Sequence, residues 1–289
     1  MTRPRLASLR PLLLGLVGVL ALAVLWEAYK ALGPAEGWRI GDVSVLPRTT
    51  DLAMPHVWDM LGRAFAPVRN GSDELVLQAV LAACLTSAAT AIVGLLVGAI
   101  VGFGLALVMQ ALPIAQAAML PWLILSQTVP LIALAPIVVS WGGRIDGWER
   151  WMSVAVIASY LAFFPVSIGA LRGLNSPDAI HVELFRSYGA GWWRTLLTLR
   201  LPASVPYLLP ALRLAAANAV IGTVVAEVSI GLRGGIGRMI IEFAQQASGD
   251  PAKTWAPIFG AIAVGLVAAG VIALLGVLLR RFRRGEVPA

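Results

Sequence analysis

The sequence predicts an all-α integral membrane protein with six transmembrane helices, and three observations predict it. Of its 289 residues, 59% are hydrophobic and only 13% charged, whereas soluble domains run near ~45–50% apolar and about 25% charged. Six stretches approach the roughly 20 apolar residues that cross a bilayer as a helix. The basic residues sit between and beside these stretches, as topology determinants do. That placement argues against the nucleic-acid partner that a net charge of +7 would otherwise suggest.

The first span is Pro11–Tyr29, preceded by Arg3, Arg5 and Arg10. It is long for the apolar core of a signal peptide, and no small-residue cleavage site follows, so it reads as a retained span. The second lies within Leu75–Met109, long enough at about 1.5 Å per residue to overshoot the hydrocarbon layer. The others are Ala115–Trp141, Trp151–Leu171, Pro206–Ser229 and Trp255–Leu279. With both termini cytoplasmic, the inner segments hold more than half of the 22 Lys and Arg residues. The run Arg280–Arg284, abutting the last span, is the stronger orientation signal.

Residues 30–74 form the longest polar segment and are assigned to the outside, with Pro55–Phe65 as a short amphipathic helix at the surface. His56 is expected to be solvated or interfacial there. The other histidine, His181, falls on the opposite side, so no histidine-based metal site is expected. Cys84 is a single cysteine within an apolar run, a packing residue with no internal disulfide partner.

Two spans carry internal detail. Gly94, Gly98 and Gly102 form a small-residue stripe that lets another backbone approach, either within one subunit or between subunits. Pro121, Pro130 and Pro136 punctuate the third span, with Gln127 and Thr128 beside the middle one. Proline removes a helix hydrogen bond, and in lipid the freed carbonyls need partners. The span is therefore expected to bend, either toward a lumen or as a static kink.

Between the fourth and fifth spans, residues 173–205 are too polar to cross the membrane and too apolar for a solvated loop. Pro177 and Asp178 suit a helix start. Leu184, Phe185, Tyr188, Trp192, Trp193, Leu196, Leu197 and Leu199 are mixed with charge. Gly189-Ala190-Gly191 breaks the stretch into two short helices, and Pro202 and Pro206 are expected to stop it before the next span. An amphipathic hairpin on the cytoplasmic face satisfies both demands, its apolar face resting on lipid or in a partner's groove.

This segment resembles the EAA loop of permease subunits of binding-protein-dependent ABC importers. Glu183, Gly189, Leu201 and Pro202 match the pattern; Leu184 and Phe185 replace its two alanines, and Leu199 stands where isoleucine is typical. The stretches Val129–Pro136, Trp141-Gly142, Ala226-Glu227 and Gly234–Gly237 are similar to the nitrate/sulfonate/taurine branch, which includes permeases for thiamine precursors and riboflavin. The similarity runs from about Leu75 to Leu279. It implies the type I importer permease fold, with residues 1–289 as a single transmembrane domain. It also implies that residues 173–205 form a coupling loop, with Glu183, Arg186, Gly189, Ala190, Leu201 and Pro202 meeting the ATPase. The implied partners are two copies of a cytoplasmic ATP-binding subunit, an extracytoplasmic solute-binding protein, and a second permease subunit, with a homodimer favoured. The implied location is the plasma membrane.

The chain is read as a transporter subunit and not an enzyme, with no cofactor. A P-loop ends in Gly-Lys-Ser/Thr, and the only lysines, Lys30 and Lys253, follow Tyr29 and Ala252. The alternative is a secondary transporter or channel without an ATPase, but such proteins place ionisable groups at the midplane, and few occur here. Gln127, Thr128, Pro130 and Glu227 are the candidates for the translocation pathway. Glu227, at the outer end of an apolar span, either borders that path or faces water, and the glycines from Gly231 to Gly237 permit a tight turn before a short helix over Met239–Ala244. The solute is a small organic molecule. It is an aromatic heterocycle, such as a thiamine precursor or riboflavin, or an anion such as a sulfonate or nitrate. The heterocycle is preferred because no Lys or Arg falls mid-span and Trp122, Trp141, Phe163 and Phe164 offer aromatic faces.

Overall fold

The computed structural model describes residues 10–40, 43–69 and 71–278; Arg3, Arg5 and the tail Arg280–Arg284 lie outside the described residues. Five helices are long and apolar enough to cross a membrane, and a sharply bent helix pair makes a sixth crossing when taken as one span. The protein is a multi-pass, all-α membrane protein with one small antiparallel hairpin among the described residues. Contacts divide it into two units.

The first unit holds the described residues up to Val80 together with Glu242–Ile258. From Leu13 on, helix α1 (Arg10–Leu32) exposes its leucines and valines all round, as a lipid-facing span does. Near its C-terminal end Trp26 Nε1 donates to the Pro55 carbonyl at 3.0 Å and Trp26 meets Trp255 edge-on. The Glu27 carboxylate accepts from the Val57 N–H at 2.7 Å, capping helix α2 (Val57–Arg63) from outside its own sequence. His56 Nδ1 lies 2.8 Å from the same carboxylate, and its ring stacks on Trp58. His56 is thus half-buried and paired rather than solvated. Lys30 donates to Asp51 at 2.6 Å, which holds the Asp51 carboxyl below the usual carboxylate range. Strands β1 (Trp38–Ile40) and β2 (Val43–Leu46) pair antiparallel. They are too short to leave an alternating pattern in the sequence. Arg63 to Asp250 and Lys253 to the Val68 carbonyl tie α2 and its following loop to residues 250–253.

The second unit contains Leu81–Ile241 and the described residues from Phe259 on. It holds α4 (Pro113–Ser126), α5 (Leu131–Gly142), α6 (Arg150–Leu174), α7 (Ala179–Ser187), α8 (Trp192–Thr195) and α9 (Leu201–Ile230) whole, and the greater part of α3 (Val76–Ala111), α10 (Ile236–Ala244) and α11 (Trp255–Leu278), whose remaining residues belong to the first unit. Helices α6 and α9 form the most extensive pair. Small residues permit this closeness: Gly169 faces Ala211, Gly173 faces Ser204 and Gly222 faces Ala158.

The glycine stripe on α3 packs on α6 of the same chain. A Cβ at Gly94 would lie 2.5 Å from Ala158 Cβ, one at Gly98 2.8 Å from the Ser159 carbonyl oxygen, and one at Gly102 2.4 Å from the Phe163 carbonyl oxygen. Backbone cannot yield as a side-chain tip can. Gly102→Leu is therefore expected to force α3 off α6, costing roughly 1–3 kcal/mol as overpacking does. Gly104→Leu, where a Cβ meets nothing within 4 Å, should leave thermal unfolding in detergent unchanged. Equal melting of the two variants would contradict this packing.

The third span breaks at its middle proline. Helices α4 and α5 meet at 102°, with Gln127 as the C-cap of α4 and Pro130 as the N-cap of α5. Pro121 and Pro136 stay inside their helices. The Tyr160 hydroxyl donates to the Ser126 carbonyl, supplying a partner that the broken ladder lacks.

The prolines after the hairpin do not stop the helix. Pro202 sits in the first turn of α9 and Pro206 and Pro210 lie within it. The five residues Leu196–Arg200 form a π turn leading straight into α9, where the Leu201 N–H reaches the Leu196 carbonyl. Pro202 has no N–H for the Thr198 carbonyl, and the ladder widens into the π turn just before it.

Candidate functional site

Two constructions in the second unit stand out: an exposed helical hairpin and a buried carboxylate.

The hairpin comprises α7 and α8. Its first helix ends where Gly189 takes the left-handed conformation at φ +71°. The Ala190 N–H bonds the Phe185 carbonyl at 3.0 Å and the Gly189 N–H bonds the Arg186 carbonyl at 2.9 Å. This is the paired 6→1 and 5→2 pattern of a Schellman cap, for which glycine is the usual residue. Gly191 then caps α8. Ile180, Leu184, Tyr188, Trp193 and Leu197 are all exposed, Tyr188 to 80%. Leu184, Phe185, Tyr188, Ala190 and Arg194 line a surface hollow of about 350 Å³. Among the described residues nothing covers these side chains.

The hairpin is anchored at its base. Leu196 is buried and Leu201 packs beside it against Ala106, Met109, Ala170, Leu171 and Leu174. Arg200 Nη1 donates to the Leu174 carbonyl at 2.9 Å, satisfying one of the free carbonyls at the C-terminus of α6. Ser176 Oγ is within bonding distance of the Gly173 and Ala203 carbonyls. The hairpin thus hangs from the α6–α9 pair by a packed and hydrogen-bonded base. Of the residues expected to meet an ATPase, Glu183, Arg186 and Gly189 are exposed at the far end and Ala190 is half-buried in the cap. Leu201 belongs to the anchor, and Pro202 to the exposed first turn of α9.

The carboxylate is Glu227, 0% exposed near the end of α9. It does not face water. Ser87 Oγ of α3 lies 2.7 Å and 2.8 Å from its two oxygens. The Gly237 N–H donates to Oε2 at 2.9 Å, and the Ile236 N–H donates to Ser87 Oγ at 2.8 Å. The Glu227 carbonyl accepts from Gly231, the left-handed residue that ends α9. One residue therefore ties α3, the end of α9, the glycine turn and the first turn of α10 together. The glycines are there for space: a Cβ at Gly235 would fall 2.3 Å from Glu227 Cδ, and one at Gly237 2.4 Å from the Val224 carbonyl oxygen. Helix α10 begins at Ile236, three residues before the start expected from sequence, because these two N–H groups point at the node.

Gln127, Thr128 and Pro130 lie together at the α4–α5 break, Gln127 half-buried and the other two exposed. Thr128 Oγ1 donates back to the Leu125 carbonyl at 2.8 Å, and Gln127 Nε2 to Ser126 Oγ at 3.2 Å. Glu227 is held separately by Ser87, which sequence reasoning passed over. A single serine in an apolar helix gives no signal of its own; only its neighbour 140 residues away makes it a donor to a buried acid.

Comparison with known proteins bears on what this architecture is. Residues 94–284 match the family described as binding-protein-dependent transport system inner membrane component. The formylaminopyrimidine transport permease protein of Halalkalibacterium halodurans is 35% identical over 175 residues, 59% of this chain and 65% of that protein. The riboflavin transport system permease protein of Chloroflexus aurantiacus is 30% identical over 125 residues, 43% of this chain and 44% of that protein. The taurine transport system permease protein of Escherichia coli is 27% identical over 168 residues, 58% of this chain and 57% of that protein. The chain thus spans about half to two thirds of the length of these relatives. Because the family match covers most of the chain, this protein belongs to the binding-protein-dependent transport system inner membrane components, as an ABC importer permease of the branch that these relatives represent.

Proposed function

We propose that this chain is the membrane-spanning subunit of an ATP-driven importer, and that its α7–α8 hairpin is the handle by which a separate ATPase moves it. The observation that carries this reading is the exposed hairpin, with apolar side chains at its tip and a base packed against α6 and α9. Such a tip fits a hydrophobic groove in a partner, and its anchor transmits any displacement to the helices that pack most extensively. ATP closure must favour one state of the spans over the other for transport to follow.

In this reading residues 173–205 and both termini are cytoplasmic, residues 30–74 face outward, and residues 1–289 form one permease domain. Two ATPase copies hold the hairpins of two permease subunits, a homodimer by preference, in the plasma membrane. A solute-binding protein delivers cargo from outside. The pathway passes the α4–α5 break, where Gln127, Thr128 and Pro130 lie. The relatives named for formylaminopyrimidine, riboflavin and taurine support a small organic solute, either a heterocycle or an anion.

Tyr188→Cys provides the test, because Tyr188 is the most exposed aromatic of the hairpin. A membrane-impermeant maleimide should label it in inverted vesicles and not in intact cells. Labelling should be blocked when the ATPase is bound. Labelling from outside, or no protection by the ATPase, would overturn the assignment.

A further inference from the structure

Helix α6 presents a stripe that is only partly covered among the described residues: Phe164 and Ile168 are half-buried and Arg172 is exposed. Phe164, Ile168 and Arg172 follow one another at four-residue spacing and so share one face. Two cavities flank the stripe and share these three residues as a wall. One, of about 560 Å³, lies against α4 and is completed by Gln116, Leu120, Ile124 and Asn175. The other, of about 400 Å³, lies against α9 and is completed by Pro206, Tyr207 and Pro210. Both volumes fall in the range of small-molecule sites.

The polarity of this groove is one-sided. Leu120, Ile124, Phe164 and Ile168 form its apolar length, while Gln116, Arg172 and Asn175 gather at one end. Arg172 is exposed, and among the described residues no hydrogen bond or carboxylate engages it. Arg200 donates to the Leu174 carbonyl and to Asn175 Oδ1, so that amide oxygen already has a partner. The groove therefore offers a guanidinium with several donors next to an aromatic and aliphatic wall, and the described residues that line it include no acid. A guanidinium so placed favours a carboxylate, sulfonate or phosphate, which it can hold by two parallel hydrogen bonds.

We propose that the Phe164–Ile168–Arg172 stripe is a solute station for an organic anion, with the anionic group on Arg172 and a flat or apolar body against Phe164 and Ile168. This deepens the permease reading, on which it rests for one thing only: that the anion bound is the transported solute. It narrows the solute class, because a heterocycle carrying one anionic group satisfies both the wall and the arginine.

The full chain in phosphatidylcholine nanodiscs tests the station by ligand-observed saturation-transfer NMR. The probes are benzenesulfonate and its neutral analogue benzenesulfonamide. Benzenesulfonate should bind at least tenfold more tightly than the sulfonamide to the unsubstituted protein. Arg172→Gln should remove that preference, and Arg172→Lys should keep part of it, with melting profiles unchanged because Arg172 holds nothing in place. Equal binding of the two probes to the unsubstituted protein overturns the proposal without reference to any variant. So does a sulfonate preference that survives in Arg172→Gln. A lipid arm separates the remaining source. If phosphatidylglycerol nanodiscs abolish sulfonate binding, and phosphatidylglycerol co-purifies with the unsubstituted protein but not with Arg172→Gln, the site holds a headgroup and the solute assignment fails. Hairpin labelling at Tyr188 uses neither probe, so failure here leaves the permease reading standing.

Discussion

Gly189→Val is expected to abolish ATPase association and solute uptake while leaving the chain folded in the membrane. The reason is backbone conformation, not lack of space. Gly189 holds φ at +71°, yet a Cβ there would meet nothing within 4 Å. An L-residue in this conformation costs about 1–2 kcal/mol, and a β-branched one is a genuine outlier there. The Schellman cap would open, the Gly189 and Ala190 N–H groups would leave their carbonyls, and α7 would lose its fixed angle to α8. The anchor at Leu196, Arg200 and Leu201 lies elsewhere and should hold. Gly189→Asn provides the control, because asparagine tolerates the left-handed region. Co-purification with the ATPase and uptake in proteoliposomes should fall to background in Gly189→Val and survive substantially in Gly189→Asn. If both variants fail, the partner's own backbone approaches Gly189 and the steric reading replaces the conformational one. Normal ATPase binding by Gly189→Val would remove the hairpin from the coupling path.

Glu227→Ala should cause the largest loss of stability. The substitution leaves the Ser87 hydroxyl and the Gly237 N–H without their acceptor, in a fully buried place. Buried groups stranded in this way cost about 1–3 kcal/mol each, so a loss of roughly 3 kcal/mol is expected. Ser87→Ala should cost less, since it strands the Ile236 N–H and removes one donor from the carboxylate. Glu227→Gln keeps an oxygen for the Gly237 N–H and should fall between unsubstituted protein and Glu227→Ala. Thermal unfolding in detergent ranks the series, and hydrogen exchange across residues 231–237 locates the change. Fast exchange confined to this turn in Glu227→Ala is the expected signature of a clamp on α10. If Glu227→Ala melts like the unsubstituted protein, the node holds nothing together. If Glu227→Gln changes uptake at unchanged stability, the carboxylate acts on the solute path instead.

Both residues were visible in the sequence, but for different reasons and to different depths. Gly189 was legible because helix ends are local: the glycine, the short apolar run before it and the spacing to Leu201 and Pro202 all fall within one stretch. The Schellman geometry adds detail to a break already expected. Glu227 was legible only as an acid in an apolar span. Its setting depends on Ser87 and on two backbone N–H groups of α10, and no spacing rule connects residue 87 to residue 227. The prolines show the same limit. Pro130 breaks its span and Pro202 does not, although both follow apolar residues. What separates them is position: Pro202 falls in the first turn of α9, directly behind a widened turn.

Composition, the length of the apolar runs and the placement of prolines and glycines pointed, without any coordinates, to a membrane protein of about six crossings with a bend in the third and a short amphipathic hairpin after the fourth. These features are set by the cost of exposing backbone and charge to lipid, which every residue meets locally. Tertiary structure alone decided that the Gly94–Gly102 stripe packs on its own chain, that Glu227 closes a turn instead of meeting water, and that Arg172 is left free beside Phe164 and Ile168. Each of those depends on which side chains from distant segments arrive within about 3–4 Å of one another, the range over which hydrogen bonds and close packing act.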